Sequence, residues 1–332
     1  MPRRMLALAR STVFHFATVG AFLALVLWSG SVVLSAPAAF AQDEDQVGAA
    51  DSEGPAKDQV DAADGGRIAE DQVDATDRER LAKEFSDPLT TLPQIFLQDA
   101  YTPANHGTGA QANRVIARAI IPRIPRFSLL PFVQLVRPSF FLVTVPTGRG
   151  DDTRTEFGDM QLFDLAVLPW PKRESGLMIG IGPTFTFPTA TYKTAGQGAW
   201  QVGPAFGAIY KGIPWLLAGA LIQNPISFAY TVHDHQPLST LLFQPVLLVA
   251  LPGGWYMKSA DATWTYSWRQ GKPRLLPLSF GIGRVLLRDG LPPINFFVSG
   301  EWMAYRQDAA VAPQTTVRFG MTVAFPGFRP WR

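Results

Sequence analysis

Between Thr316 and Phe325 every second residue is large and apolar: Val317, Phe319, Met321, Val323 and Phe325 alternate with Thr316, Arg318, Gly320, Thr322 and Ala324. A period of two gives a single extended strand one greasy face and one small or polar face. The same alternation sets Leu177, Ile179, Ile181, Phe185 and Phe187 against Gly180, Gly182, Thr184 and Thr186. It also sets Ala260, Ala262, Trp264, Tyr266 and Trp268 against Ser259, Asp261, Thr263, Thr265 and Ser267, and Phe296, Val298, Gly300, Trp302 and Ala304 against Asn295, Ser299 and Glu301. Such a chain is committed to sheet, and the open question is what covers the greasy face.

A soluble sandwich alternates too, so three further features decide for a membrane. Gly, Ser and Thr with occasional Asp, Glu and Arg make a poor dry core but a good wet lumen. The alternating segments reach about ten residues, enough to cross a bilayer obliquely, whereas soluble strands average about 5–6. Trp200, Trp215, Trp255, Tyr256 and Trp302 lie near segment ends, where interfacial girdles sit. No stretch after the leader approaches the roughly 20 apolar residues of a membrane helix. Pro214 and Pro245 interrupt the two best candidates, Ile213 to Ile222 and Leu241 to Leu251.

The pattern predicts an all-β, antiparallel, up-and-down transmembrane barrel of twelve strands, near 94–102, 111–121, 127–146, 157–168, 175–188, 199–210, 213–229, 238–251, 254–268, 273–287, 293–305 and 314–325. An even number returns both chain ends to the periplasm. With that parity, the outer loops are 103–110, 147–156, 189–198, 230–237, 269–272 and 306–313, mostly the longer and more polar connections. The inner turns include the tight Lys211-Gly212 and Pro252-Gly253.

The formal net charge of +2 hides three segments. Residues 1–41 carry +3, with an apolar run from Ala17 to Leu34 and a small-x-small site at Ala39-Phe40-Ala41. This is the order of a secretory signal, predicted to be cleaved after Ala41. Residues 42–87 carry 15 acidic and 5 basic side chains, or −10, and repeat one acidic phrase three times at a spacing of 13 around Val47, Val60 and Val73. With so little to bury, they read as a disordered periplasmic tail. Residues 88–332, the barrel, hold the remaining 21 basic and 12 acidic side chains, or +9. With no Cys in the chain, stability must come from something other than disulfides.

Several phrases in order resemble one family: Phe157-Gly158-Asp159-Met160-Gln161-Leu162; Gly180-Ile181-Gly182-Pro183-Thr184-Phe185-Thr186-Phe187-Pro188-Thr189-Ala190; Gly198-Ala199-Trp200-Gln201-Val202-Gly203-Pro204; Gln244-Pro245; Pro252-Gly253-Gly254-Trp255-Tyr256; and Pro277-Leu278-Ser279-Phe280-Gly281-Ile282-Gly283-Arg284. From about residue 87 to 326 the chain is similar to the outer-membrane barrels named as transporters of the meta-pathway of phenol degradation, some mislabelled neuromedin U. The resemblance implies a barrel of this strand number that moves small molecules, hydrophobic or aromatic, across the outer membrane. It carries no catalytic residues. The chain departs from such barrels in its acidic tail and in the extension after Phe325, the expected signal for the barrel-assembly machinery.

No nucleophile elbow, zinc-protease or phosphate-loop motif occurs, so no enzyme, cofactor, metal site or nucleic-acid partner is expected. His233 and His235 share one side of an extended segment with His106 as a possible neighbour, a set short of a metal site. Arg114 and Arg118 share a strand face, and Arg318, Asp261 and Glu301 fall on polar faces. Because an Arg facing lipid at the midplane costs about 2–4 kcal/mol, these five are expected to line the lumen. Two readings follow: an outer-membrane channel or facilitator for small, aromatic or anionic molecules, or a closed barrel whose acidic tail binds a partner or plugs it. Membrane lipid is a partner in both, and oligomeric state stays open.

Overall fold

The computed structural model describes residues 77–121, 133–147, 152–169, 176–231, 237–259, 261–288, 290–307 and 312–326. The leader, the acidic repeats, His233, His235 and the Arg-Gly-Asp of 149–151 lie outside them. The strands are β1 (Gln94–Thr102), β2 (Asn105–His106), β3 (Ala112–Ile120), β4 (Val133–Pro146), β5 (Thr153–Phe157), β6 (Met160–Pro169), β7 (Leu177–Phe187), β8 (Ala199–Tyr210), β9 (Leu216–Gln223), β10 (Ile226–Tyr230), β11 (Thr240–Ala250), β12 (Trp255–Lys258), β13 (Trp264–Ser267), β14 (Lys272–Leu286), β15 (Ile294–Arg306), β16 (Ala312–Pro313) and β17 (Thr315–Ala324).

Every strand pairs antiparallel with its neighbours, and the first pairs with the last. β1 runs beside β17 from Gln94↔Ala324 to Tyr101↔Val317, so the sheet has no free edge. β5 with β6, β9 with β10, and β12 with β13 each act as one interrupted strand, which gives the expected twelve positions round the ring. The breaks fall at Gly158-Asp159, at Asn224-Pro225 and at 259–263. Gly158 sits where an added Cβ would come within 3.1 Å of Phe141 Cβ, and Pro225 has no N–H for a ladder bond. β2 and β16 pair outside the barrel wall and tie the loops 103–110 and 306–313 together.

The alternation read from sequence divides inside from outside. Ile95, Phe140, Ile181, Phe206, Leu247, Phe280, Val298 and Phe319, from eight different strands, point outward and are exposed. A belt of this kind, on eight strands and interrupted on the same outer face by Asp99 and Asp164, demands a largely apolar surrounding. Replacing Phe319, in the middle of β17, with Arg should cost about 2–4 kcal/mol. Urea unfolding of the protein refolded in liposomes checks this, and the exposed loop substitution Lys193→Ala serves as the near-neutral control.

The chain before β1 departs from the expected tail. Residues 77–86, the last part of the segment read as a tail to 87, form helix α1. Its Leu81, Ala82 and Phe85, with Leu89 after it, are buried in one cluster with inward residues of the wall, among them Leu135, Leu165, Ile209, Leu217, Leu221 and Leu248. The acidic composition conceals an apolar stripe at helical spacing, and burying that stripe stabilises the helix more than its propensity does.

Candidate functional site: the barrel interior

The interior has two layers. At the near end, where β1 begins and β17 finishes, it is apolar and filled. Leu89 is 0% exposed, and its seat is a glycine pair in register across two strands, Gly180↔Gly207. A Cβ on Gly180 would lie 2.5 Å from Leu89 Cδ2, and one on Gly207 would lie 2.9 Å from it. Neither strand residue can therefore carry a side chain while Leu89 is in place.

Polar contacts fix the plug formed by α1 and residues 87–92. Lys211, in the tight turn after β8, pairs with Glu84 at 2.7 Å and with the fully buried Asp87 at 2.5 Å. Lys83 Nζ donates to the Ile213 carbonyl at 3.4 Å, and Leu89 N donates to Asp87 Oδ1 at 2.7 Å. Burial raises the Asp87 carboxyl above its ordinary value, against the opposing pull of Lys211. Burial alone would lower the Lys211 ammonium; Asp87 and Glu84 more than reverse this, and it lies above its ordinary value.

Toward the far end the inner face turns polar, with Gln98, Thr102, Ser139, Thr184, Thr186, Gln201, Ser299 and Thr316 facing inward. The charged residues form two tiers. Arg114 and Arg318 both pair across from Ala100, on β3 and β17, and Arg318 Nη2 bonds Glu301 Oε2 at 2.8 Å. Arg114 is exposed although it sits on the inner face, so water reaches it through the lumen. Nearer the plug stand Arg118, Arg137, Lys258 and Asp261, and the charged groups facing Asp261 are Lys258, Arg118, Arg318 and Arg137. Gln244 Nε2 holds Asp261 Oδ1 at 3.1 Å.

The five charges singled out by sequence thus fall into two groups: Arg114, Glu301 and Arg318 in the far tier, Arg118 and Asp261 in the near one. Two members of the near tier, Arg137 and Lys258, were not expected. Strand parity would have found Arg137, which shares a face with Leu135 and Ser139, but not Lys258, which shares one with Tyr256 ahead of a break that switches the inward face.

The cations rest on rings. Arg114 lies 5.5 Å from the Phe141 centroid, Arg118 5.1 Å from Phe96, Arg137 4.3 Å from Phe163, and Lys258 3.5 Å from Phe297. Among the described residues none of these four forms an ion pair. Four cations therefore face the lumen against one carboxylate, Asp261, once Arg318 and Glu301 are set aside as a pair.

Trp200, Trp215, Trp255 and Trp302 are exposed on the outside of the wall. Tyr256 corrects the expectation that grouped it with them. It is 0% exposed, lies inside, and donates its hydroxyl to Asn295 Oδ1 at 2.8 Å. Adjacent strand residues face opposite ways, so Trp255 and Tyr256 cannot both be girdle residues. Gly283 opposite leaves room for the ring, since a Cβ there would sit 2.3 Å from it. Phe325 follows β17 at the near end, with its N–H on the Pro93 carbonyl at 2.8 Å.

No protein-family model matches the chain, and no curated protein matches it. Solved barrels resemble it in outline. An outer membrane channel from Pseudomonas putida F1 is 12% identical with a TM-score of 0.42, covering 72% of this chain and 98% of that one. The KdgM porin is 9% identical with a TM-score of 0.40, covering 70% of this chain and 99% of its own. The Pseudomonas putida toluene transporter TodX is 10% identical with a TM-score of 0.32, covering 73% and 92%.

Proposed function

We propose that the protein is a channel of the Gram-negative outer membrane that passes small molecules and prefers anions. The observation that carries this reading is the closed ring itself, largely apolar outside and, over its far half, polar and cationic within. Lipid accounts for the outer face, and the near end with its tight turns is assigned to the periplasm together with the acidic segment before residue 77. A polar path edged by uncompensated cations concentrates anions and lowers their crossing barrier. The ordered motifs similar to the phenol-degradation transporters support a small, aromatic permeant, and Phe325 is proposed as the terminal signal for barrel assembly. The plug makes the described state a closed one, so conduction requires α1 to leave its seat.

The test is reversal potential in planar bilayers under a KCl gradient, using protein lacking residues 42–91. Anion selectivity is expected, and Arg114→Gln with Arg118→Gln should shift the reversal potential toward cations. Absence of any conductance from correctly inserted protein would sink the channel reading.

A further inference from the structure

Directly above the plug the near tier encloses a cavity lined by Phe85 of α1 and by Arg118, Arg137, Gln244, Lys258 and Asp261 of the wall. About 50 Å³ of it is open to the centres of water-sized molecules, room for a carboxylate group with the rest of a ligand extending through the open side. We propose that this cavity is a binding site for a small organic carboxylate, gripped between Arg118, Arg137 and Lys258 with its apolar part against Phe85. The site deepens the channel reading and rests on it for its role in permeation, but binding itself does not require conduction.

Three observations converge on an oxyanion. The cavity sets three cations against two carboxylates, of which Asp87 is already paired with Lys211 and Asp261 already accepts from Gln244. Arg137 is only 7% exposed, and its Nε has no hydrogen-bond partner among the described residues. Buried guanidinium donors are normally satisfied, most strongly by carboxylate or phosphate. Finally, the rings of Phe96, Phe163 and Phe297 hold the three cations from behind. A ring restrains a cation without neutralising it. Arg118 is further fixed by Nε donation to Ser139 Oγ at 3.1 Å. The charge is therefore positioned yet unspent.

The same geometry selects among anions. Asp261 opposes a second negative charge, which disfavours a phosphate dianion, while Phe85, Phe96, Ile120 and Val246 offer apolar surface to a hydrocarbon body. A monoanionic carboxylate with a compact apolar body satisfies both demands.

The experiment is calorimetric titration of the full chain in detergent with benzoate, with benzyl alcohol as its uncharged counterpart and with inorganic phosphate. Benzoate should bind saturably and about tenfold or more tighter than benzyl alcohol, because only the anion engages the charged donors. Arg137→Met and Lys258→Met, which keep length and lose charge, should each weaken benzoate about tenfold, while Lys258→Arg stays within about threefold. Benzoate binding no tighter than benzyl alcohol would overturn the site, as would Met variants that bind like the parent. Phosphate binding more tightly than benzoate would overturn the carboxylate assignment. The benzoate and benzyl alcohol comparison needs no variant and decides the matter even if a substitution prevents folding. Conductance of the plug-deleted protein is measured separately, so loss of this site and loss of the channel reading give different results.

Discussion

Deletion of residues 42–91 is expected to raise single-channel conductance by about tenfold or more, since a twelve-strand lumen lies between side-chain-filled and wide-pore barrels and its near half is filled here by α1 and Leu89. The apolar wall residues Leu135, Leu165, Ile209, Leu217, Leu221 and Leu248 remain after deletion, but they line the space that the plug occupied. A second change reaches the same end without shortening the chain. Gly207→Val places a side chain where Leu89 Cδ2 lies, and Gly207 is on the inner face, so the strand ladder of β8 is kept. The plug must then yield its seat. Conductance in planar bilayers checks both, and an unchanged conductance in both would mean that the near half closes without the plug.

Lys211→Met should release the plug almost as fully. Removing one partner of a buried pair costs about 3–5 kcal/mol because the other charge is stranded, and Asp87 is fully buried beside it. At 1.4 kcal/mol per tenfold, that cost shifts the docked-to-undocked ratio by more than about a hundredfold. The double change Lys211→Met with Asp87→Asn should recover most of the docking, since no charge is left stranded. Proteolysis of α1 in intact vesicles reads the docked fraction. The pH dependence has a definite sign. Lys211 titrates above its ordinary value of 10.5, so its contribution is complete below that value and is lost as pH rises through the higher folded one. Asp87 titrates above its ordinary 3.8, so its contribution is greatest in acid and falls as pH rises. Lys211 therefore predicts that strong alkali frees the plug and leaves acid without effect, and a gain in acid rests on Asp87 alone.

The twelve strand positions were legible because lipid outside and water inside impose a strict period of two on nearly every segment. The three breaks were not: Pro225 keeps the flanking alternation in step, and at Gly158 and 259–263 the inward face switches parity, a change that only the register shows. α1 was hidden by its charge. Fifteen acidic residues across 42–87 argue for a solvated tail, while Leu81, Ala82, Phe85 and Leu89 are too few to announce a helix until a barrel is there to receive them. Tyr256 was misplaced, and Lys258 with it, because the inward face switches parity at 259–263: Tyr256 and Lys258 stand beside the buried Ala250 and Leu248, whereas Trp264 and Tyr266 stand beside Phe243 and Leu241. Arg137 sits next to Pro138 and opposite Phe163, and only the register exposes the ring that supports it.

Seating the lumenal cations on phenyl rings has a consequence for where such a channel works. Phenylalanine has no proton to gain or lose, and a guanidinium group stays charged across all ordinary environments. A wall charge held by carboxylates would be retuned whenever the surroundings turn acidic. Here the rings do not respond to acidity, and a proton on Asp261 would remove only the opposing charge, so the bias of the passage toward anions does not weaken when the medium turns sour.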